Sequence, residues 1–339
     1  MARLTYASSG VDREARARAK AGLRGLRGTY PLSRHGRVLE TPFNTLYPVG
    51  GGMYQVKCAD GVGTKVMLAQ LAGKHDTIGI DAVAMVANDV IRCGATPLAI
   101  TDMIDIRKSE RRLIAEIERG LRAGAEMAGC PIVGGETADL PELMAAPYHI
   151  NADCVGEVAR KSIIDGRAIR PGDAVIGIRS SGLHSNGITL ARRALFKEWG
   201  GKYDAWARIG GLERELVLAA LEPTRIYVRQ FLRLARKVRV LGAVHITGDA
   251  YLKFAKLTRF GFEFDRFEPQ PIFELIQEAG VPWPEMFRTF NMGWGFAAIV
   301  RRSDADDALD ALGKDADVIG KVVRRGITVK FGGKRMVLK

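Results

Sequence analysis

Residues 60–102 read D-G-V-G-T-K-V-M-L-A-Q-L-A-G-K-H-D-T-I-G-I-D-A-V-A-M-V-A-N-D-V-I-R-C-G-A-T-P-L-A-I-T-D. Asp60 opens a glycine-rich turn in which Gly61 and Gly63 let the backbone come close to a ligand. Thr64 and Lys65 follow, the latter a compact cation suited to a phosphate. The run I-G-I-D-A-V-A-M-V-A-N-D-V-I-R-C-G then predicts a mostly apolar helix closed by Gly94. Such a helix is buried, so its acidic and amide groups need partners or a metal. Positions 81, 85, 88 and 89 share one face at the helical repeat, which aligns Asp81, Asn88 and Asp89. Asp102 ends the next strand-like run, close enough to join them. An isolated D-G is ordinarily a turn, and an isolated helical Asp is ordinarily capped or solvated. Several oxygen ligands beside a glycine turn and a lysine point instead to a magnesium–nucleotide site.

The 339 residues suffice for two domains with proper cores. A hydrophobic content of 47% with 26% charged residues is that of an ordinary globular protein. No apolar run approaches the roughly 20 residues of a membrane helix. The N-terminus, M-A-R-L-T-Y-A-S-S-G, lacks a signal-peptide core, so a cytoplasmic location is expected. Cys58, Cys93, Cys130 and Cys154 are scattered without a C-x-x-C, which argues against zinc or a disulfide framework. The net charge of +13 is spread along the chain, and its densest run, residues 13–27, has no interleaved aromatics. That run matches no nucleic-acid module, and attraction of phosphorylated, anionic substrates explains the charge equally well.

Working outward in chain order, Gly10 and Asp12 read as a turn and cap before a basic helix, with a mobile arm over residues 29–41. L-Y-P-V-G-G-G-M-Y-Q-V-K-C is a β-hairpin that delivers the chain into Asp60. An amphipathic helix runs from a cap near Ser109 to Gly129. C-P-I-V-G-G-E-T-A-D-L-P is a short strand entering a glycine loop with Gly135, Glu136, Thr137 and Asp139. H-I-N-A-D-C-V-G-E-V-A is the last strand before a polar boundary at I-D-G-R-A-I-R-P-G-D, dividing the chain into residues 1–168 and 169–339. In the second half, A-V-I-G-I leads into S-S-G-L-H-S-N-G and a helix starting near Gly187. Backbone amides at that start, with Ser180, Ser181, Ser185 and Asn186, make an anion pocket to which His184 could donate. E-P-T-R-I-Y predicts a helix with Pro223 in its first turn. V-L-G-A-V-H-I-T-G-D is a strand bringing His245 and Thr247 to a second glycine turn. A helix, a Gly-rich turn and a strand follow at M-F-R-T-F-N-M-G-W-G-F-A-A-I-V, then a capped helix and two short strands. No Walker A, Rossmann, G-x-S-x-G or kinase pattern is present.

The ordered set T-Y-A-S-S-G-V-D, D-G-V-G-T-K, H-D-T-I-G-I-D, A-N-D-V-I-R-C-G-A-T-P, I-V-G-G-E-T-A, R-P-G-D, S-S-G-L-H-S-N-G, E-P-T-R-I-Y, H-I-T-G and F-N-M-G resembles phosphoribosylformylglycinamidine cyclo-ligases, also called AIR synthetases. The likeness spans nearly the whole chain in a compact, archaeal-like form. It implies a two-domain α/β fold in which the N-terminal halves of a homodimer share a β-barrel and the C-terminal halves pack outside as α/β layers. It also implies an active site in the cleft between the domains, near the dimer interface. The implied reaction is ATP-dependent closure of the imidazole ring of formylglycinamidine ribonucleotide in purine biosynthesis, with no nucleic acid or membrane partner.

On that resemblance, Asp60, Asp89, Glu136 and then Asp102 are the expected magnesium ligands. ATP is expected at Asp60, Gly61, Gly63, Thr64, Lys65, Asp81, Asn88, Gly135, Glu136 and Thr137, with Lys65 on the transferring phosphoryl group. Ser181, Gly182, His184, Ser185, Asn186 and Thr247 are expected to hold substrate or a phosphate. Lys65, His184 and His245 are the expected catalytic groups. Two departures stand out from the family pattern: Asp249 and Ala250 replace glycines after H-I-T-G, and Trp294 sits where a smaller residue is usual. Asp249 would repel a phosphate unless it points away or binds a cation, and Trp294 would narrow the pocket. Thiamine-monophosphate kinase, selenophosphate synthetase, a hydrogenase-maturation protein and the larger purine amidotransferase share the superfamily. Selenophosphate synthetase would need a reactive residue before Cys58, and the hydrogenase protein a cysteine-bearing tail. A catalytically dead binding module would not need the carboxylates of the first half.

Overall fold

The computed structural model describes residues 4–339. Asp12 caps α1 (Arg13–Ala21) by accepting from the N–H groups of Glu14 and Ala15. A 3-10 stretch, Gly22–Leu32, carries the chain from there to β1 (Leu39–Glu40). Gly50, Gly51 and Gly52 all take positive φ, and this turn joins β2 (Thr45–Gly50) to β3 (Met53–Gly61) as the expected hairpin. Next come α2 (Val66–Ala72), α3 (Ile78–Ile91), β4 (Thr96–Ile106), α4 (Arg111–Ala128), β5 (Ile132–Asp139) and β6 (Tyr148–Ala159). The six strands form one sheet in the order β1-β2-β3-β6-β4-β5, antiparallel except for β4 with β5.

Helix α3 is buried around nearly its whole circumference, between the sheet and α4. The helices meet backbone to backbone because Gly79 and Gly120 carry no side chain there. A Cβ on Gly79 would stand 2.1 Å from the Leu121 nitrogen. Among the described residues no α-helix covers the other face of the sheet, which displays Tyr47 and Met103. Three local expectations change. Asp102 does not end its strand, since β4 continues to Ile106. The Gly134–Gly135 pair begins no loop, because β5 runs through Gly135, Glu136 and Thr137 in parallel register with β4. Ser109 precedes α4 by two residues and bonds the Asp139 carboxylate instead of capping.

The first sheet ends at Ala159, and the second begins at β7 (Ala174–Arg179). The second half continues with α5 (Ile188–Leu195), α6 (Leu216–Ala220), α7 (Val228–Lys237), β8 (Gly242–His245), β9 (Gly261–Phe264), α8 (Pro271–Glu278) and α9 (Trp283–Thr289). It finishes with β10 (Trp294–Val300), α10 (Ala305–Leu312), β11 (Ala316–Val323), β12 (Ile327–Phe331) and β13 (Lys334–Val337), three closing strands where two were expected. Their order is β13-β12-β9-β11-β7-β10-β8. β7 and β10 are buried along almost every residue, as central strands covered on both faces must be. The helix expected from Pro223 starts only at Val228. Residues 222–227 stay irregular because their backbone groups bond to α3 of the first half rather than to one another.

Gly79→Ala forces α3 and α4 apart, and overpacking of this kind costs about 1–3 kcal/mol. The expected result is a lower urea midpoint with an unchanged m-value.

Candidate active site

The polar face of α3 does not look out on solvent. Asp81 is fully buried, and its carboxylate lies 2.9 Å from Lys65 Nζ, itself fully buried at the end of the D-G-V-G-T-K turn. The same carboxylate accepts from Ser185 Oγ (2.9 Å), the Thr224 N–H (2.7 Å) and Thr224 Oγ1 (2.6 Å) of the second half. Lys65 also donates to the Glu222 carbonyl at 2.6 Å. One turn along, Asn186 Nδ2 lies 3.8 Å from Met85 Sδ. Asn88 donates to the Arg225 carbonyl (2.9 Å) and accepts from the Tyr227 N–H (2.8 Å). Lys65, Asp81 and Asn88, expected on the nucleotide, thus clasp the two halves together. Thr224 and Tyr227 are the partners that sequence reasoning missed, because E-P-T-R-I-Y reads as the start of a helix and not as a segment that bonds to α3.

Where α3 ends, the seam between the halves carries a cluster of charged groups. Asp89 Oδ1 lies 2.9 Å from His245 Nδ1, and Asp89 Oδ2 lies 2.8 Å from Arg92, whose guanidinium also stacks on Phe43. Burial works against the Asp89 carboxylate, but Arg92 and His245 outweigh it and hold its pKa well below the usual range. Burial lowers the pKa of His245, so its Nδ1–H donates to Asp89 and its enclosed Nε2 finds no partner. Asp60 lies nearby with an exposed carboxylate that accepts from the Gly61 N–H. Loss of surrounding water and the charge of Asp89 raise its pKa. Lys253 closes the far side, donating to the His245 carbonyl and to Thr247 Oγ1. Desolvation pushes its pKa down to about 8.

The other expected site residues fall into three places. Gly63 and Thr64 are exposed, and Thr64 meets Thr189 of α5 at 3.0 Å between hydroxyls. Asp102 shares its sheet face with Asp60, because both pair with Ala152; two strand spacings put them roughly 10 Å apart. Glu136 pairs with Met103, one residue on from the Asp102–Gly135 pair, and so lies on the opposite, uncovered face. Among the described residues no three His, Cys, Asp or Glu side chains gather around one metal position. In the second-half loop, Ser181 Oγ donates to the Pro223 carbonyl, and His184 Nε2 accepts from the Ser181 N–H. His184 is buried with φ 63° beside the equally buried Tyr227, and Gly182 is enclosed too. Ser185 and Asn186 reach the cleft edge; the side-chain oxygen of Asn186 lies 3.3 Å from where a Cβ on Gly248 would stand.

The two departures resolve by geometry. Asp249, at φ 70°, turns its carboxylate to Arg13 (3.3 Å) and Arg16 (3.0 Å) of α1. Arg13 further binds Glu285 (2.9 Å), the Arg288 carbonyl and Thr289, so the basic helix is anchored to the second half. The acid therefore binds cations and repels nothing. Trp294 does not narrow the pocket: its indole packs on Gly177 and beneath Arg179 and donates to the Arg266 carbonyl. The position that guards the histidines is Gly295, where a Cβ would lie 2.0 Å from the Tyr227 hydroxyl and 2.4 Å from His184.

The sequence profile of AIR synthase related protein, N-terminal domain, matches residues 44–158, and that of the C-terminal domain matches residues 170–332. The phosphoribosylformylglycinamidine cyclo-ligase of Thermococcus gammatolerans is 43% identical, covering 98% of this chain and all of the relative. That of Pyrococcus furiosus is 42% identical over the same shares. The Myxococcus xanthus enzyme is 44% identical over 83% of this chain and 85% of its own. The chain belongs to the phosphoribosylformylglycinamidine cyclo-ligase family. The solved hydrogenase maturation protein HypE in complex with ATP superposes with a TM-score of 0.61 at 16% identity, over 91% of this chain and 89% of that one. Thermotoga maritima PurL complexed with ADP gives 0.59 at 17% identity, over 91% of this chain and 47% of that one. At such identities the superpositions show only that this chain shares a fold with these proteins.

Two outcomes follow from the geometry. Asp81→Asn leaves the Lys65 ammonium buried without a carboxylate, which costs about 3–5 kcal/mol, and a Lys65→Met/Asp81→Asn double variant regains much of it. Chemical denaturation of the singles and the double reads the coupling. Asp249→Ala removes the Arg16 anchor and one of the Arg13 bonds, so trypsin cuts after Arg16, Arg18 and Lys20 faster than in the parent while cleavage elsewhere is unchanged. Asp89 adds a pH dependence of known sign. Its depressed pKa contributes stability above the ordinary Asp value near 4, lost as pH falls below it, and Asp89→Asn flattens that acid limb.

Proposed function

We propose that the protein closes the imidazole ring of formylglycinamidine ribonucleotide to give 5-aminoimidazole ribonucleotide, using ATP and releasing ADP and phosphate. The observation that carries this reading is the end-to-end likeness, at 43% identity, to an enzyme of that name. An amide oxygen is a poor leaving group. Transfer of the γ-phosphoryl group of ATP to that oxygen makes it a good one. The amidine nitrogen then attacks the activated carbon, and phosphate departs with the former amide oxygen.

The chain's residues divide between holding the cleft and acting in it. Lys65, Asp81 and Asn88 fix the distance between the halves, so that groups from both face one substrate. Gly61, Gly63 and Thr64 offer an accessible turn for the nucleotide phosphates beside Asp60. Asp60 and Asp102 would supply the carboxylate oxygens for a magnesium ion, since such ions use one or two protein carboxylates. When bound, that ion neutralises phosphate charge. Glu136 belongs to this ligand set only if the uncovered sheet face contributes through a partner subunit. Asp89, kept ionised by Arg92, orients the ring of His245, and His245 serves the proton transfers that ring closure requires. Ser185, Asn186 and Thr247 meet the ribonucleotide, while His184, Ser181 and Gly182 shape the loop behind them.

The uncovered face bearing Tyr47 and Met103 supports a homodimer built through a shared barrel. No helix among the described residues is long and apolar enough to cross a membrane, and a cytoplasmic home suits a biosynthetic enzyme. The functional division is that of residues 1–168, with nucleotide and magnesium, and residues 169–339.

Pure protein given formylglycinamidine ribonucleotide, ATP and magnesium is expected to form aminoimidazole, detected by diazo coupling, in equal amount to ADP. ADP without imidazole overturns the reading in favour of a kinase.

A further inference from the structure

The cleft needs a cation for phosphate, and the lysine that the motif offers is not available. Lys65 is fully buried and spent on Asp81 and the Glu222 carbonyl. Arg92 is likewise engaged, by both Asp89 Oδ2 and the Asp89 carbonyl. Lys253 is in a different position. It is only partly buried, and among the described residues no carboxylate stands within ion-pair distance of it. Its hydrogen-bond partners are two neutral oxygens, the His245 carbonyl and Thr247 Oγ1. A desolvated ammonium without a counter-ion is costly, and persists where an anion completes it.

The local fold explains how it comes to point there. Asp249 and Ala250, at φ 70° and 37°, reverse the chain after β8 and start a 3-10 stretch, Ala250–Lys256. Tyr251 and Phe254, three residues apart, sink into the aromatic core with Phe262 and Phe264. Lys253 therefore turns back over the end of β8, toward Asp60 and the Asp89–His245 pair, whose charges it feels.

We propose that Lys253 is the phosphate-binding cation of this cleft, its ammonium contacting a phosphate oxygen of the nucleotide or of the ribonucleotide substrate. This rests on the ring-closing reading above and adds to it the residue that meets the phosphate. Removal of one preorganised donor from a reacting centre lowers rate by about a hundred- to a thousandfold. Lys253→Met keeps the stem and removes the charge; Lys253→Arg keeps the charge. The Met variant is expected to lose about a hundredfold in kcat/KM, with an unchanged melting temperature, and the Arg variant to stay within tenfold of the parent. A raised KM for ATP alone places the contact on the nucleotide, and a raised KM for the ribonucleotide alone places it on the ribose phosphate. A fall in kcat with both KM values kept places it on the phosphoryl group in transfer. The alkaline limb gives a second readout: parent activity falls above about pH 8 as the ammonium deprotonates, whereas the Arg variant holds its rate to higher pH. Lys253→Met within threefold of the parent in all three constants overturns the proposal. If the parent makes no aminoimidazole, the ring-closing reading fails by itself. ATP and ribose 5-phosphate affinities of the parent and Lys253→Met, measured by calorimetry, then decide: a loss of at least tenfold for either supports the contact, and equal affinities overturn it.

Discussion

The ion pair between Lys65 and Asp81 is the constraint on which the rest depends. Two full charges held away from water are tolerable only when geometry and further hydrogen bonds compensate their lost hydration. Asp81 meets that condition with Ser185, Thr224 and Lys65, and Lys65 with Asp81 and the Glu222 carbonyl. Most of these compensating groups belong to the second half, so the first half can bury its own charges only by docking. Asn88 repeats the logic two helical turns later with the Arg225 carbonyl and the Tyr227 N–H. The fold of residues 222–227 is a consequence, since backbone groups committed to α3 cannot build a helix.

This division also explains what could be read from the chain alone. The hairpin around Gly50–Gly52, the buried α3 and the α4 stop at Gly129 were legible because each rests on local chemistry: turn glycines, an apolar run, a left-handed cap. That the polar residues of α3 need partners was legible too. Their identity was not, because Thr224 and Tyr227 lie more than a hundred positions away and carry no pattern tying them to Asp81 or Asn88. Glu136 misled for a related reason. Gly-Gly reads as a loop, but β5 is an edge strand pairing on one side only, and there glycine costs little pairing.

Motif reading identifies which cations exist in a stretch and not which of them remains free. Lys65 looks like a phosphate ligand by spacing, and burial against Asp81 removes it from the cleft. Lys253 lies in no recognisable signature and, among the described residues around it, bonds only neutral oxygens. The same competition governs acids. Asp89 is drawn to Arg92 and His245, leaving Asp60 and Asp102 with oxygens to spare. Charge partnership, a property of the packed molecule, thus sorts structural from available groups among residues that look equivalent in sequence.

Backbone strain follows the same map. Among the described residues the four non-glycine residues with positive φ are His184, Asp249, Ala250 and Met292. Each such conformation costs of order 1–3 kcal/mol and persists only where its surroundings over-determine it. They do so here: His184 is held by the Ser181 N–H and Gly295, Asp249 by two arginines, and Ala250 and Met292 by complete burial. All four lie in the loops after β7 and β8 and before β10, three neighbouring strands of the second sheet whose ends face the first half. A relaxed Asp249–Ala250 turn would not swing the 3-10 stretch back over His245, and Lys253 would leave the cleft. The strain therefore aims side chains at the space between the halves, where the proposed ring-closing chemistry needs them.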